Sequence, residues 1–156
     1  MLNGQPELLQ GLSPDEAEKV WALGGRLTLT SGAELFHLGT EAGSLYVVTR
    51  GRIKLTLPMQ VRGQEQDILV EERSPGQTVG WSALIPPYQF TLTATALVQS
   101  EVLAIPGDAL RSYLAASPAA GCAISLNLAA VIGQRLQLFQ AMWLREVQRM
   151  VELRCA

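Results

Sequence analysis

The chain has 156 residues, 48% of them hydrophobic and 17% charged, with 12 basic and 14 acidic side chains for a formal net charge of −2. One domain of this length buries about 70% of its unfolded surface without metals or disulfides, and the composition excludes intrinsic disorder. No apolar run of about 18 residues spans a bilayer, no secretory signal opens MLNGQPELLQ, and no basic patch for nucleic acid precedes the C-terminal helix. The expectation is therefore a single cytoplasmic domain, 1–156, without membrane association or direct nucleic-acid binding. Its apolar excess is expected on its surface or in a subunit interface.

Ser13-Pro14-Asp15-Glu16 opens the first element. Ser13 is a good N-cap, Pro14 suits the first helical position, and Glu16 completes a capping box. A helix is predicted within 13–24, stopping at Gly24-Gly25. From Arg26 to Ile105 short Val-, Leu- and Thr-rich segments alternate with Gly, Pro and Ser every eight to twelve residues or so, the texture of an all-β sandwich or barrel. Strands are predicted at 27–30, 34–38, 44–49, 52–57, 67–72, 78–79, 90–96 and 101–104. Thr49-Arg50-Gly51-Arg52 reads as a hairpin turn, and Val61-Arg62-Gly63-Gln64 as the tip of a longer hairpin.

A short helix is predicted over 107–116 and, after Pro118, a long one over 119–154, about 54 Å at 1.5 Å per residue. Ile132, Leu136, Phe139, Trp143, Met150 and Leu153 form a heptad-spaced seam interrupted at Glu146, beside a second stripe of Ile124, Leu128, Val131, Leu138 and Met142. Two stripes are too wide for one neighbour. One is expected on the β domain and the other on a second copy, giving a homodimer through this helix.

The glycines form an ordered series: Gly32-x-x-x-Phe36-x-x-Gly39, then Leu45 through Gly51 to Leu55, then Gly76-Gln77-Thr78-Val79-Gly80-Trp81-Ser82-Ala83-Leu84. This series resembles the cyclic-nucleotide-binding domain family, which includes the catabolite-activator-type bacterial regulators. The resemblance implies an α+β fold, an antiparallel β-roll (jelly-roll-like) with flanking short helices and a long C-terminal dimerisation helix. It also implies a phosphate cassette in which one Glu takes the ribose hydroxyl, while one Arg and backbone N–H groups hold the cyclic phosphate.

On that pattern Val79, Gly80, Ser82, Ala83 and Leu84 keep the cassette's frame, but its Glu position is Trp81 and its Arg position is Phe90, with Gln89 before it and Thr91 after it. Arg135 through Gln140 resembles the segment that offers two hydroxyl residues to the base, and Phe139 and Gln140 stand there instead. Losing a buried anion's Arg costs about 2–5 kcal/mol, so cAMP or cGMP in the usual mode is not expected. Either Trp81, Tyr88, Phe90 and Phe139 line a pocket for another small molecule, or the rings fill it and nothing binds. Backbone N–H groups over 81–84 leave room for a weakly held anion.

The family's bacterial regulators carry a helix-turn-helix domain after the long helix, and the chain stops at Ala156 without one. Arg145, Arg149 and Arg154 read as complements to the helix dipole. His37 is the sole histidine, so no metal site and no catalytic triad can be assembled, and no cofactor motif is present. Cys122 and Cys155, about 50 Å apart along one helix, read as reduced structural thiols. The expectation is a non-enzymatic regulatory or sensory module. The alternatives are a scaffold for a protein partner and the regulatory half of a transcription regulator.

Overall fold

A computed structural model describes residues 4–155; residues 1–3 and 156 of the expected 1–156 domain lie outside them. The elements run in the expected order: α1 (Pro14–Ala22), β1 (Gly25–Leu29), β2 (Glu34–Phe36), β3 (Ser44–Arg50), β4 (Ile53–Val61), β5 (Gln64–Arg73), β6 (Thr78–Val79), β7 (Thr93–Ala96), β8 (Ser100–Pro106), α2 (Gly107–Ala116) and α3 (Pro118–Cys155). Two 3-10 turns, Glu7–Leu9 and Trp81–Leu84, complete it. The capping box forms as the sequence demands. Ser13 Oγ accepts from the Glu16 N–H at 3.3 Å, and the Glu16 carboxylate accepts from the Ser13 N–H at 3.0 Å.

The strands make two four-stranded antiparallel sheets, β1-β8-β3-β6 and β2-β7-β4-β5. This is the β-roll with flanking helices that the sequence predicts. Leu45, Val47, Val48, Ile53, Leu55, Ala94, Val102 and Ile105 form its core, all essentially without solvent contact.

One turn differs from expectation. Gly51 does not close a hairpin: β3 pairs with β6 and β8, whereas β4 pairs with β5 and β7, so the chain crosses between sheets there. The crossing is pinned by Ser100 Oγ, which accepts from the Arg52 N–H at 3.1 Å. Gly51 has φ +82°, and a Cβ on it would sit 2.7 Å from the Gln99 carbonyl oxygen, so only glycine fits both demands. The second turn does form a hairpin, β4 to β5, tipped by Arg62 and Gly63 with φ 52° and 78°.

The first turns of α3 bury Ala120, Ile124, Leu128 and Val131, where the helix packs on the N-terminal turn and on α2. Asn127 Nδ2 donates to the carbonyls of Leu8 and Gln10, both at 2.8 Å, and so ties the N-terminal turn to this helix. Past Phe139 the helix leaves the roll: Trp143 is 68% exposed and Leu153 73%. By length and composition α3 could cross a membrane, but part of its apolar side is spent on the N-terminal turn and α2. Cys122 and Cys155 are free and exposed, so the structural role expected of them is wrong; both lie on the helix's outer faces.

Candidate functional site

The site grows from the loop between β6 and β7. Val79 is the buried end of β6. Gly80 then turns left-handed (φ 76°) and starts the Trp81–Leu84 turn. A Cβ on Gly80 would lie 3.2 Å from Phe90, from Tyr46 and from the Ser44 carbonyl, so the loop needs glycine for both its conformation and its close approach. Arg111 holds the loop from α2. Its guanidinium donates to the Ala83 carbonyl and lies 4.5 Å from the Tyr88 ring centroid, a cation–π contact.

The return strand is strapped to the segment after β2. Ala42 N–H donates to Tyr88 at 2.7 Å, Phe90 N–H to Thr40 at 3.0 Å, and Gly39 N–H to Phe90 at 2.7 Å. This register turns the Phe90 ring inward. It is only 5% exposed and stacks on Phe36 with centroids 3.8 Å apart and planes 9° apart, with Tyr46 beyond at 5.8 Å. Burial raises the Tyr46 phenol above its ordinary value, an effect that the neighbouring Ser44 offsets in part. The space left among Phe36, Leu55, Gly80, Trp81, Phe90 and Arg135 is ≈ 10 Å³, about one water.

Beside this closed core, a groove of ≈ 320 Å³ opens between the roll and α3, lined by Leu57, Trp81, Thr91, Leu92, Ile132, Arg135, Leu136 and Phe139. Arg135 is the one charged side chain lining either space. Its side chain is only 9% exposed. Its Nε donates to Glu71 Oε2 at 3.2 Å, while Nη2 approaches the same oxygen at 3.1 Å without a hydrogen bond. Arg73, also buried, takes the other Glu71 oxygen at 3.1 Å and reaches Glu7 at 3.5 Å. Glu7 also accepts from the Thr78 N–H at 2.6 Å. Burial lowers the Arg135 pKa from its ordinary value and Glu71 opposes that shift.

The structure thus gathers Trp81, Thr91 and Phe139 around the groove, and places Gly80, Ser82 and the buried Phe90 around the closed space beside it. Leu84 lines a different groove of ≈ 300 Å³, between α2 and α3. Gln89 and Gln140 are corrections: both are exposed and line none of these spaces, Gln89 lying in a backbone β-bridge with Glu41 and Gln140 on the open side of α3. Of the expected seam, Leu136, Trp143, Met150 and Leu153 are exposed, but Ile132 and Phe139 are half-buried at the groove. The sequence reading missed Arg135 as a site residue. The signal was its position, which continues the buried period Ile124, Leu128, Val131.

The cyclic nucleotide-binding domain pattern matches residues 26–117, more than half of the chain. The chain belongs to that family. Its fold is similar to that of the N-terminal domain of a transcriptional regulator from Streptomyces coelicolor, at 26% identity and TM-score 0.69, covering 82% of this chain and 89% of that one. Thermus thermophilus catabolite activator protein is similar at 24% identity and TM-score 0.69, with 94% of this chain and 62% of that one covered. The c-di-GMP responsive global regulator of Xanthomonas campestris is similar at 19% identity and TM-score 0.73, over 85% and 64%. The chain therefore spans less than two thirds of these last two proteins. No curated protein sequence matches it. It is a cyclic-nucleotide-binding-type regulatory domain whose cassette keeps its glycine frame and lacks both charge-bearing side chains.

Proposed function

We propose that this domain is a regulatory sensor that does not take cAMP or cGMP in the cassette mode, responds to a different small molecule, and acts as a cytoplasmic homodimer through α3. The observation that carries the reading is the closed core. Phe90 occupies the position of the family's Arg and stacks on Phe36, leaving ≈ 10 Å³ where a cyclic phosphate would need to enter. A nucleotide there would have to displace two buried rings and would find no guanidinium in return. The ≈ 320 Å³ groove beside it supports a ligand of another kind, as does the likeness to a regulator described as c-di-GMP responsive. Similarity to the N-terminal domain of a transcriptional regulator supports a role as the sensing half of a larger regulator.

The dimer reading rests on α3, where Leu136, Trp143, Leu144, Met150, Val151 and Leu153 are all more than half exposed. Water contact at so many neighbouring apolar groups is relieved by a second helix. The same surface would suit a different protein partner, the ligand-free scaffold reading, in which the groove stays empty. Native mass spectrometry of the purified protein, with thermal shifts against a cyclic-nucleotide panel, tests the proposal. Twice the chain mass, with no shift from cAMP or cGMP, is expected. A ligand at 100 times its Kd stabilises by about 2.7 kcal/mol, and such a shift with micromolar cAMP would overturn the reading.

A further inference from the structure

We infer that Glu146 makes the pairing of two α3 helices proton-dependent: its carboxyl meets the same carboxyl of a second copy inside an apolar seam. The dimer then takes up a proton from solvent as it closes. This rests on the dimer reading above and adds its regulation. The heptad-spaced seam from Ile132 to Leu153 is apolar at every position except Glu146. In the single chain that charge costs nothing. Glu146 is exposed, it has no ion pair among the described residues, and glutamate is a good helix former. Trp143 and Met150, one turn to either side, are 68% and 53% exposed, so this stretch of α3 stands clear of the roll. Whatever covers the seam therefore meets the carboxyl.

The rest of the seam is complementary to itself, apolar against apolar, which is what a two-fold pair of identical helices requires. With the helices parallel and in register, each seam residue meets its own copy, and the one mismatch falls at Glu146. The side chains of the second copy that wall it there are Trp143, Val147 and Met150. The charged groups nearest the two carboxyls are Arg145 and Arg149 of each helix. Both arginines are exposed, so solvent screens what they offer. Two carboxyls brought together out of water do not both stay ionised. One proton between them ends the repulsion and lets one carboxyl donate a hydrogen bond to the other. Because that proton comes from solvent, the dimer tightens as pH falls and loosens as pH rises. A lone polar position of this kind also fixes register, at a cost in seam strength.

Sedimentation of the intact protein over a dilution series measures this between about pH 7.5 and about pH 5, above the ordinary range of a free glutamate. Uptake of one proton changes the dimer Kd by at most about tenfold per pH unit, and a tightening of about tenfold or more is expected over the whole range. Glu146→Gln should flatten the profile. Glu146→Leu should flatten it too, and should bind tighter than the parent at the upper pH. Circular dichroism should show both variants as helical as the parent. Glu146→Cys, with Cys122 and Cys155 changed to serine, should form a disulfide between copies under mild oxidation, since an in-register pair brings the two positions together. A dimer whose Kd ignores pH, a profile that survives Glu146→Gln, a Glu146→Leu variant no tighter than the parent, or no crosslink overturns the inference. Monomers at every pH and concentration overturn the dimer reading instead, so the two failures are distinct.

Discussion

Replacing Phe90 by alanine tests the closed core from the side of stability. The ring is 5% exposed and stacked on Phe36 at 3.8 Å, so the variant loses the transfer free energy of the ring, the aromatic pair and the packing around the hole. Buried Phe→Ala changes cost about 3–5 kcal/mol. The surroundings have little slack to collapse, since Gly80 already packs against Phe90 and the residual void is ≈ 10 Å³. A loss of about 4 kcal/mol is therefore expected, which at 2–4 °C per kcal/mol lowers Tm by roughly 8–16 °C. Urea and thermal unfolding at one fixed protein concentration measure it, because dimerisation makes apparent stability concentration-dependent. A loss below about 1 kcal/mol, the range of exposed positions, would show that Phe90 does not fill the core and would refute the argument for closure.

Three further outcomes follow from the same geometry. Glu71→Gln removes the countercharge shared by Arg73 and Arg135, and denaturant unfolding should show a loss near about 3 kcal/mol; Glu71→Leu combined with Arg135→Met should lose less, because no buried charge on α3 is then left alone. Trp143→Asp with Met150→Asp alters only exposed positions of α3; light scattering should report monomers with an unchanged circular-dichroism spectrum, and an intact dimer would reject the seam. Hydrogen bonds from Ser13 hold the Glu16 carboxyl below its ordinary 4.5. The capping box thus stabilises fully above that pH and loses its contribution as pH falls through the lower folded value. An acid titration should show that loss, and Glu16→Gln should flatten it.

Much of this fold was legible before any coordinates. The Ser13–Glu16 box, the Gly- and Pro-bounded strands and Pro118 at the start of α3 each state a local rule that the structure obeys. Gly51 shows where locality ends. A tight left-handed turn looks the same in sequence whether the strands that flank it pair with each other or enter different sheets, and here the outcome is decided by Ser100, far along the chain. Counting back from Glu101–Ile105 puts Phe90 at the cassette's Arg position, yet whether its ring lined a pocket or filled one depended on Phe36, which the fold brings to it. Arg135 was hidden for another reason. Arginine on a helix usually means solvent, and only its place on the buried period, together with Glu71 on β5, reveals that it faces inward.

If the cassette is closed to cyclic nucleotides, titration calorimetry of the purified protein with cAMP should show no saturable heat at millimolar nucleotide. Stoichiometric binding in the micromolar range, lost when Gly80 or Ser82 is replaced by a bulky residue, would contradict it.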